Sequence, residues 1–185
     1  GLLQILSDDA ILKEEDLLIK KLIGFANQRF ISLTRDKSVF DRGVNTPNYV
    51  FNFLDFVLWY NETHGTGCGV NASNFDFKYR NSVEHFYPQN PNESEGHKRL
   101  NPDILNNFGN LCIMSRSHNS LRSNLTPNSK IGEFGSTDQS LKFELMQQMT
   151  IDKNGWGTVQ IKEHGEKMKE ILTDFIKSIE ASLEI

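Results

Sequence analysis

Long apolar runs are missing from this chain of 185 residues: none approaches the ~20 residues that a membrane-crossing helix requires, so no membrane span is expected. Cysteine is scarce. Cys68 lies in the glycine-rich stretch "HGTGCGV" and Cys112 in "NLCIM"; two such residues make no disulfide framework, and the lack of any CxxC pair argues against a four-cysteine zinc site. A cytoplasmic location is the default expectation. No GxxxxGK[ST] loop is present to cradle a nucleotide phosphate, so any NTP handling is expected outside these residues. The opening "GLLQILSDDAILKEEDLL" has no basic leader, no small-residue cleavage site and no initiator Met. That predicts no secretory signal, and a chain that forms the C-terminal part of something longer.

Excess basic charge is also missing. Lys and Arg number 20 against 24 Asp and Glu, a formal net charge of −4. A protein that coats DNA passively draws its affinity from a dense basic surface, so this balance argues against that class. It argues less against an enzyme that reaches phosphates through a bound cation and a few local basic residues. A hydrophobic content of 37% with 24% charged residues is ordinary for a globular domain, and the length suffices to bury roughly 70% of the unfolded surface. Internal repeats and low-complexity tracts are lacking.

What is present changes period along the chain. Residues 14–30 carry Leu17, Leu18, Leu22, Phe25 and Phe30 at broadly helical spacing behind leading acidic residues. Pro47 is a good first-turn residue for a second helix over 48–62, apolar nearly all round and therefore buried. In 74–86, Phe75, Phe77, Tyr79 and Val83 alternate with Asp76, Lys78 and Arg80, which predicts a strand with a break at Asn81. Residues 87–107 read as a long polar loop with a helical turn at 101–107, and 109–114 as a second short strand. A short helix over 115–125 starts at Ser115 or Ser117. Helices at about 138–150 and 158–183 close the chain. The last one places Ile161, Met168, Ile171, Leu172, Phe175, Ile179 and Leu183 on one face.

Two residue groups in the middle carry chemistry. Glu84 and His85 end the first strand, and Asn110 and Asn119, nine residues apart, bracket the second strand and the helix after it. A lone Glu-His pair is weak evidence, since paired groups are often structural. His64, His97 and His164 have no evident partners and read as surface or packing residues. In order and spacing, "VEHFYPQNP" followed by "FGNLCIMSRSHNSLRSN" resembles the HNH, or His-Me finger, nuclease motif. In particular it resembles the C-terminal nuclease domain of GmrSD-type restriction and defence proteins. The HNH domain of RNA-guided CRISPR nucleases has a similar order of acid, His and two Asn residues. The resemblance covers about 74–130, with helical flanks at 1–62 and 138–185.

That resemblance implies an α+β fold, mostly helical, with a ββα-metal hairpin and helix within a single domain over 1–185. It implies a catalytic set of His85, Glu84, Asn110 and Asn119: His85 as general base, Glu84 and Asn119 as metal ligands, and Asn110 holding the loop that orients His85. The chemistry agrees. Phosphodiester hydrolysis needs a base for the water proton and a Lewis acid for the charge that develops on phosphate and leaving oxygen. Imidazole, with an ordinary pKa of ~6.5, suits the first task. A carboxylate and an amide suit a hard divalent ion, Mg²⁺ or in its place Mn²⁺. At 100° per residue Asn119 lies about 60° from Arg122 and about 40° from Ser123, while His118 falls with Leu121 and Leu125 on the apolar side. Arg122, and Lys130 in the following loop, are the expected phosphate contacts.

Glu84 and His85 point to opposite faces of an ideal strand, so both serve one site only if the strand ends or bulges there. Glu beside the His, where Asp is commoner, is a mild departure from the family pattern. DNA is the expected substrate, with an N-terminal regulatory or NTP-binding domain as partner and 5′-phosphate and 3′-hydroxyl ends as products. Two other classes stand beside this reading. One is a nucleic-acid-binding or adaptor module that keeps the scaffold without cutting. The other is an oligomerisation domain that uses the apolar face of the last helix.

Overall fold

The run "NYVFNFLDFVLWYNET" forms helix α1 (Asn48–Thr63) directly after Pro47, and its apolar residues Val50, Phe51, Phe53, Leu54, Phe56, Val57 and Leu58 are all buried. In the computed structural model the described residues are 37–182, except 66, 74, 79, 93–97, 116–125 and 134–139. The helices expected over 14–30 and 115–125 fall outside them, but for Ser115. Two 3-10 turns, Lys37–Asp41 and Gly43–Asn45, precede α1. After it come strand β1 (Ser82–His85), the short helix α2 (Pro102–Leu105), a 3-10 turn (Phe108–Asn110) and strand β2 (Leu111–Met114). Helices α3 (Pro127–Glu133), α4 (Leu141–Asp152) and α5 (Thr158–Ser182) complete the order. The described residues are thus mostly helical with one small two-stranded sheet, an α+β arrangement. None of their helices is long and apolar enough to cross a membrane.

The chain divides into two compact units: residues 38–172, and residues 1–37 with 173–185. In the second unit the described portion is essentially the end of α5. There Lys177 pairs with Asp174 at 3.8 Å and the Ser178 hydroxyl donates to the Phe175 carbonyl at 2.7 Å.

In the first unit the antiparallel hairpin packs between helices. Its register pairs Ser82 with Met114, Val83 with Ile113, Glu84 with Cys112 and His85 with Leu111. All four β2 residues are buried. Phe86 carries one half of the core, meeting Phe143 of α4 and Trp156 edge-on at 5.3 and 5.1 Å. Phe108 carries the other, packed against Phe40 at 5.0 Å and Phe51 at 5.2 Å.

The strand expected over 74–86 is much shorter. β2 offers only four residues to pair with, so β1 is confined to Ser82–His85, and the ladder stops where the Asn81 N–H meets the Met114 carbonyl at 3.1 Å. Upstream, the alternation of aromatic and polar residues belongs to a folded-back loop. Phe75 and Phe77 meet edge-on at 4.8 Å, and Phe77 meets Trp59 at 5.4 Å. Arg80 is buried rather than solvent-facing: its guanidinium reaches the Lys78 and Asp76 carbonyls at 3.5 and 3.4 Å and lies over the Phe75 ring.

The first turn of α4 is fastened to α1 by a buried hydrogen bond. Ser140 caps the helix by accepting the Phe143 N–H at 3.1 Å, and the buried Asp55 accepts the Lys142 N–H at 3.2 Å. The Lys142 side chain, 1% exposed, runs back into the core. Its Nζ donates to the Phe108 and Leu111 carbonyls at 2.9 and 2.5 Å and lies over the Phe108 ring. Burial pulls Lys142 down to about 7 and pushes Asp55 up to about 7, the latter opposed by Arg80.

Helix α5 meets the 3-10 turn backbone to backbone. A Cβ on Gly109 would overlap the Ile161 carbonyl and sit 2.7 Å from the Gly165 nitrogen. A Cβ on Gly165 would sit 2.6 Å from Asn107 Oδ1. Both positions require glycine for close approach.

Gly109→Ala should therefore destabilise the fold by about 3 kcal/mol or more, read as a lowered urea midpoint. The buried carboxylate predicts a pH effect of definite sign. A carboxyl raised from 3.8 to about 7 contributes stability that is full below its unfolded value and lost as pH rises through the folded one. Lys142 runs the opposite way, its contribution lost as pH falls through its depressed value. Between about pH 4 and pH 8 wild type should lose stability relative to Asp55→Asn, by on the order of a few kcal/mol. A gap between the two proteins that stays constant across that range contradicts this assignment.

Candidate active site

The hairpin brings Glu84 and His85 to the end of β1. Ser82 and Glu84 share one face, where the Ser82 hydroxyl donates to Glu84 Oε1 at 3.0 Å. His85, half-buried, lies on the other face, and its Nε2 is 3.0 Å from Asn106 Oδ1. Pairing is regular through His85 and β1 ends there, without a bulge. The strand end is thus one of the two conditions under which these neighbours can serve a common site. Cys112, opposite Glu84, is fully buried, and burial pushes its thiol up to about 11, so it offers no nucleophile at neutral pH.

Asn110 has no exposed surface, and its amide ties the turn after His85 to Leu105 and Trp156. Oδ1 accepts the Tyr87 N–H at 2.8 Å and the Trp156 indole N–H at 3.2 Å; Nδ2 donates to the Leu105 carbonyl at 2.9 Å and the Tyr87 carbonyl at 3.3 Å. Its own carbonyl accepts the Phe86 N–H at 2.8 Å. An amide side chain offers two donor hydrogens and one acceptor oxygen, and here both ends are satisfied. Asn110 is a staple that fixes the backbone following His85.

Lys130 occupies a different place from the open phosphate-facing loop expected for it. It belongs to helix α3, begun by Pro127, and is 3% exposed. Its Nζ donates to the His85 and Phe86 carbonyls, both at 2.7 Å, and sits 5.7 Å from the centre of the Phe86 ring. Burial lowers its pKa, with Cys112 and Glu84 opposing. It braces the strand end from beneath. The structure thus gathers Glu84, His85, Asn110 and Lys130 around one hairpin end. Asn119 and Arg122 lie outside the described residues.

Beside the hairpin, the turn containing Gly43–Asn45 and helix α2 enclose a cleft of about 420 Å³. Asp41, Arg42, Asn45, Asp103 and Asn106 contribute its polar lining. Asn106 borders this cleft and holds His85, so the imidazole adjoins the cleft through it. Sequence reasoning missed Asn106, Lys142 and Trp156. The pair Asn106–Asn107 reads as a turn, and only the fold shows what its side chains reach. Of the remaining histidines, His64 stacks on Tyr60 at 4.0 Å and His164 packs edge-on against Trp156 at 5.6 Å. Burial holds His164 well below the ordinary histidine value.

The profile of a family described as GmrSD restriction endonucleases, C-terminal domain, matches residues 34–171. The chain belongs to this family. The match spans the hairpin, the cleft and most of the helical frame, so the GmrSD C-terminal domain accounts for far more than the short motif. Neither a curated protein nor a solved structure matches the chain.

Among the described residues no three His, Cys, Asp or Glu side chains gather into a cluster. The donor set expected for Mg²⁺ is smaller, one carboxylate and one amide, with water completing the shell. A half-buried Glu84 that already accepts a hydroxyl is a hard oxygen donor of the fitting type.

The brace yields a prediction. Lys130→Met should leave two carbonyls unpaired and destabilise the fold by about 2 to 3 kcal/mol in urea titration. The loss should be similar at low and high salt, because the contact is buried. A phosphate contact on the surface would leave stability unchanged.

Proposed function

We propose that this domain is a metal-dependent endonuclease of the HNH type, hydrolysing DNA phosphodiester bonds as the effector of a prokaryotic restriction or anti-phage defence system. The observation that carries the reading is the strand end at His85: a half-buried imidazole, next to a carboxylate, on a backbone pinned by Asn110 and Lys130. Membership of the GmrSD C-terminal family supports it. The ββα-metal arrangement within 74–130, one nuclease domain over 1–185, and an upstream regulatory or NTP-binding domain belong to the same proposal.

His85 takes the proton of the attacking water. Glu84, with Asn119, holds a divalent ion, Mg²⁺ or Mn²⁺, and that ion when bound supplies Lewis-acid charge at the phosphate. Asn110 and Lys130 act earlier: they fix the carbonyls and amides of residues 85–87, so the base is already oriented when substrate arrives. Arg122 serves as a phosphate contact. The acidic net charge fits an enzyme that meets DNA through its metal and a few local cations.

Plasmid nicking by wild type and His85→Ala, with Mg²⁺, with Mn²⁺ and with EDTA, tests this. Nicking should require the metal and fall by at least ~10²-fold in the variant. Equal cleavage by the two proteins sinks the assignment. DNA binding without cleavage by wild type points instead to the adaptor class.

A further inference from the structure

We infer that Asn106 is a positioning residue for His85, holding its neutral ring as the Nε2–H tautomer so that Nδ1 carries the basic lone pair. The inference rests on the reading of His85 as the general base, and adds which atom of it is the base and what sets that choice.

The contact is Nε2 to Asn106 Oδ1 at 3.0 Å. An amide oxygen only accepts, so the ring nitrogen facing it must bear the hydrogen, and in a neutral imidazole the other nitrogen then has the lone pair. An amide does this without adding charge. A carboxylate in the same place would favour the imidazolium.

Asn106 is held in turn by three neighbours. It ends helix α2, with its N–H on the Pro102 carbonyl at 2.9 Å, and the other end of that one-turn helix is capped by Asn101, whose Oδ1 accepts the Asp103 N–H at 2.9 Å. Gly43, in the left-handed region at φ +57°, presses on the Asn106 side chain: a Cβ there would lie 3.2 Å from the Asn106 Cβ and 3.3 Å from its Oδ1. The preceding residue, Leu105, gives its carbonyl to Asn110 Nδ2 at 2.9 Å. The Asn110 staple therefore fixes both partners of the contact: the backbone behind His85 through Phe86 and Tyr87, and the helix behind Asn106 through Leu105. A hydrogen bond between two side chains 21 positions apart thus has both ends anchored to one buried amide. The same logic orients catalytic histidines in triads, where a third group fixes the ring.

Long-range ¹H–¹⁵N correlation on the metal-free full chain, with the imidazole neutral, reads the tautomer directly and independently of cleavage. Wild type should give the Nε2–H pattern for His85, Asn106→Asp should keep it, and Asn106→Leu should shift it toward a mixture. An Nδ1–H pattern or an even mixture in wild type overturns the inference. In nicking assays Asn106→Leu should lower kcat on the order of 10²-fold with KM changed little. A folded Asn106→Leu protein with wild-type kcat also overturns it. If wild type does not cut DNA, the reading of His85 as base fails, and the tautomer measurement still decides what Asn106 does to the ring.

Discussion

Two buried ammonium groups hold this fold together where its sheet runs out. A sheet of four-residue strands leaves carbonyls with no ladder partner at the end where His85 faces Leu111 and in the turn that leads into it. Lys130 takes the His85 and Phe86 carbonyls, and Lys142 takes those of Phe108 and Leu111. Each also lies over the ring beside its acceptors, Phe86 in one case and Phe108 in the other. Unpaired buried carbonyls cost about 1 to 3 kcal/mol each, so four of them would consume much of a small domain's net stability. The cations remove that cost but bring a desolvation penalty of their own, visible in their lowered pKa values.

The chemistry expected of the site depends on the same arrangement. His85 is the last residue of β1, and a strand end ordinarily frays. Here the strand's last residue and the two that follow it are fixed from two sides: the Lys130 ammonium on the carbonyls of 85 and 86, and the Asn110 amide on residue 87. Rigidity reaches the imidazole from its own backbone and, through Leu105 and Asn106, from across the ring. A proton acceptor that must meet a water within a few tenths of an ångström gains most from such pre-set geometry.

The long helices were legible in the sequence because apolar periodicity over a dozen or more residues outweighs local exceptions: α1 lies at 48–63 against an expected 48–62, and α5 at 158–182 against 158–183. Asn110 drew attention through its nine-residue spacing to Asn119, which is a property of order along the chain, whereas the four bonds of its amide are visible only in the fold. The extent of β1 was not, because strand length is set by the partner strand and not by the alternating residues themselves. The burial of Arg80 and Lys130 was not legible, because such side chains are seldom fully buried unless paired, and theirs reach backbone carbonyls that no residue pattern reveals. Asn106 escaped for a related reason: its role comes from a contact with a residue 21 positions away.

The glycine pair bears on ancestry as well as on packing. Because Gly109 and the helix at Gly165 touch through bare backbone, neither position can drift to a larger residue while the other stays as it is. A descendant that accepted a side chain there would have to move the helix outward, and Asn110, the next residue along, would move with the turn. Divergent members of the family can thus be sorted by whether both positions remain small. A chain that keeps both positions small can keep this frame for the histidine; one that enlarges either has to build a different one.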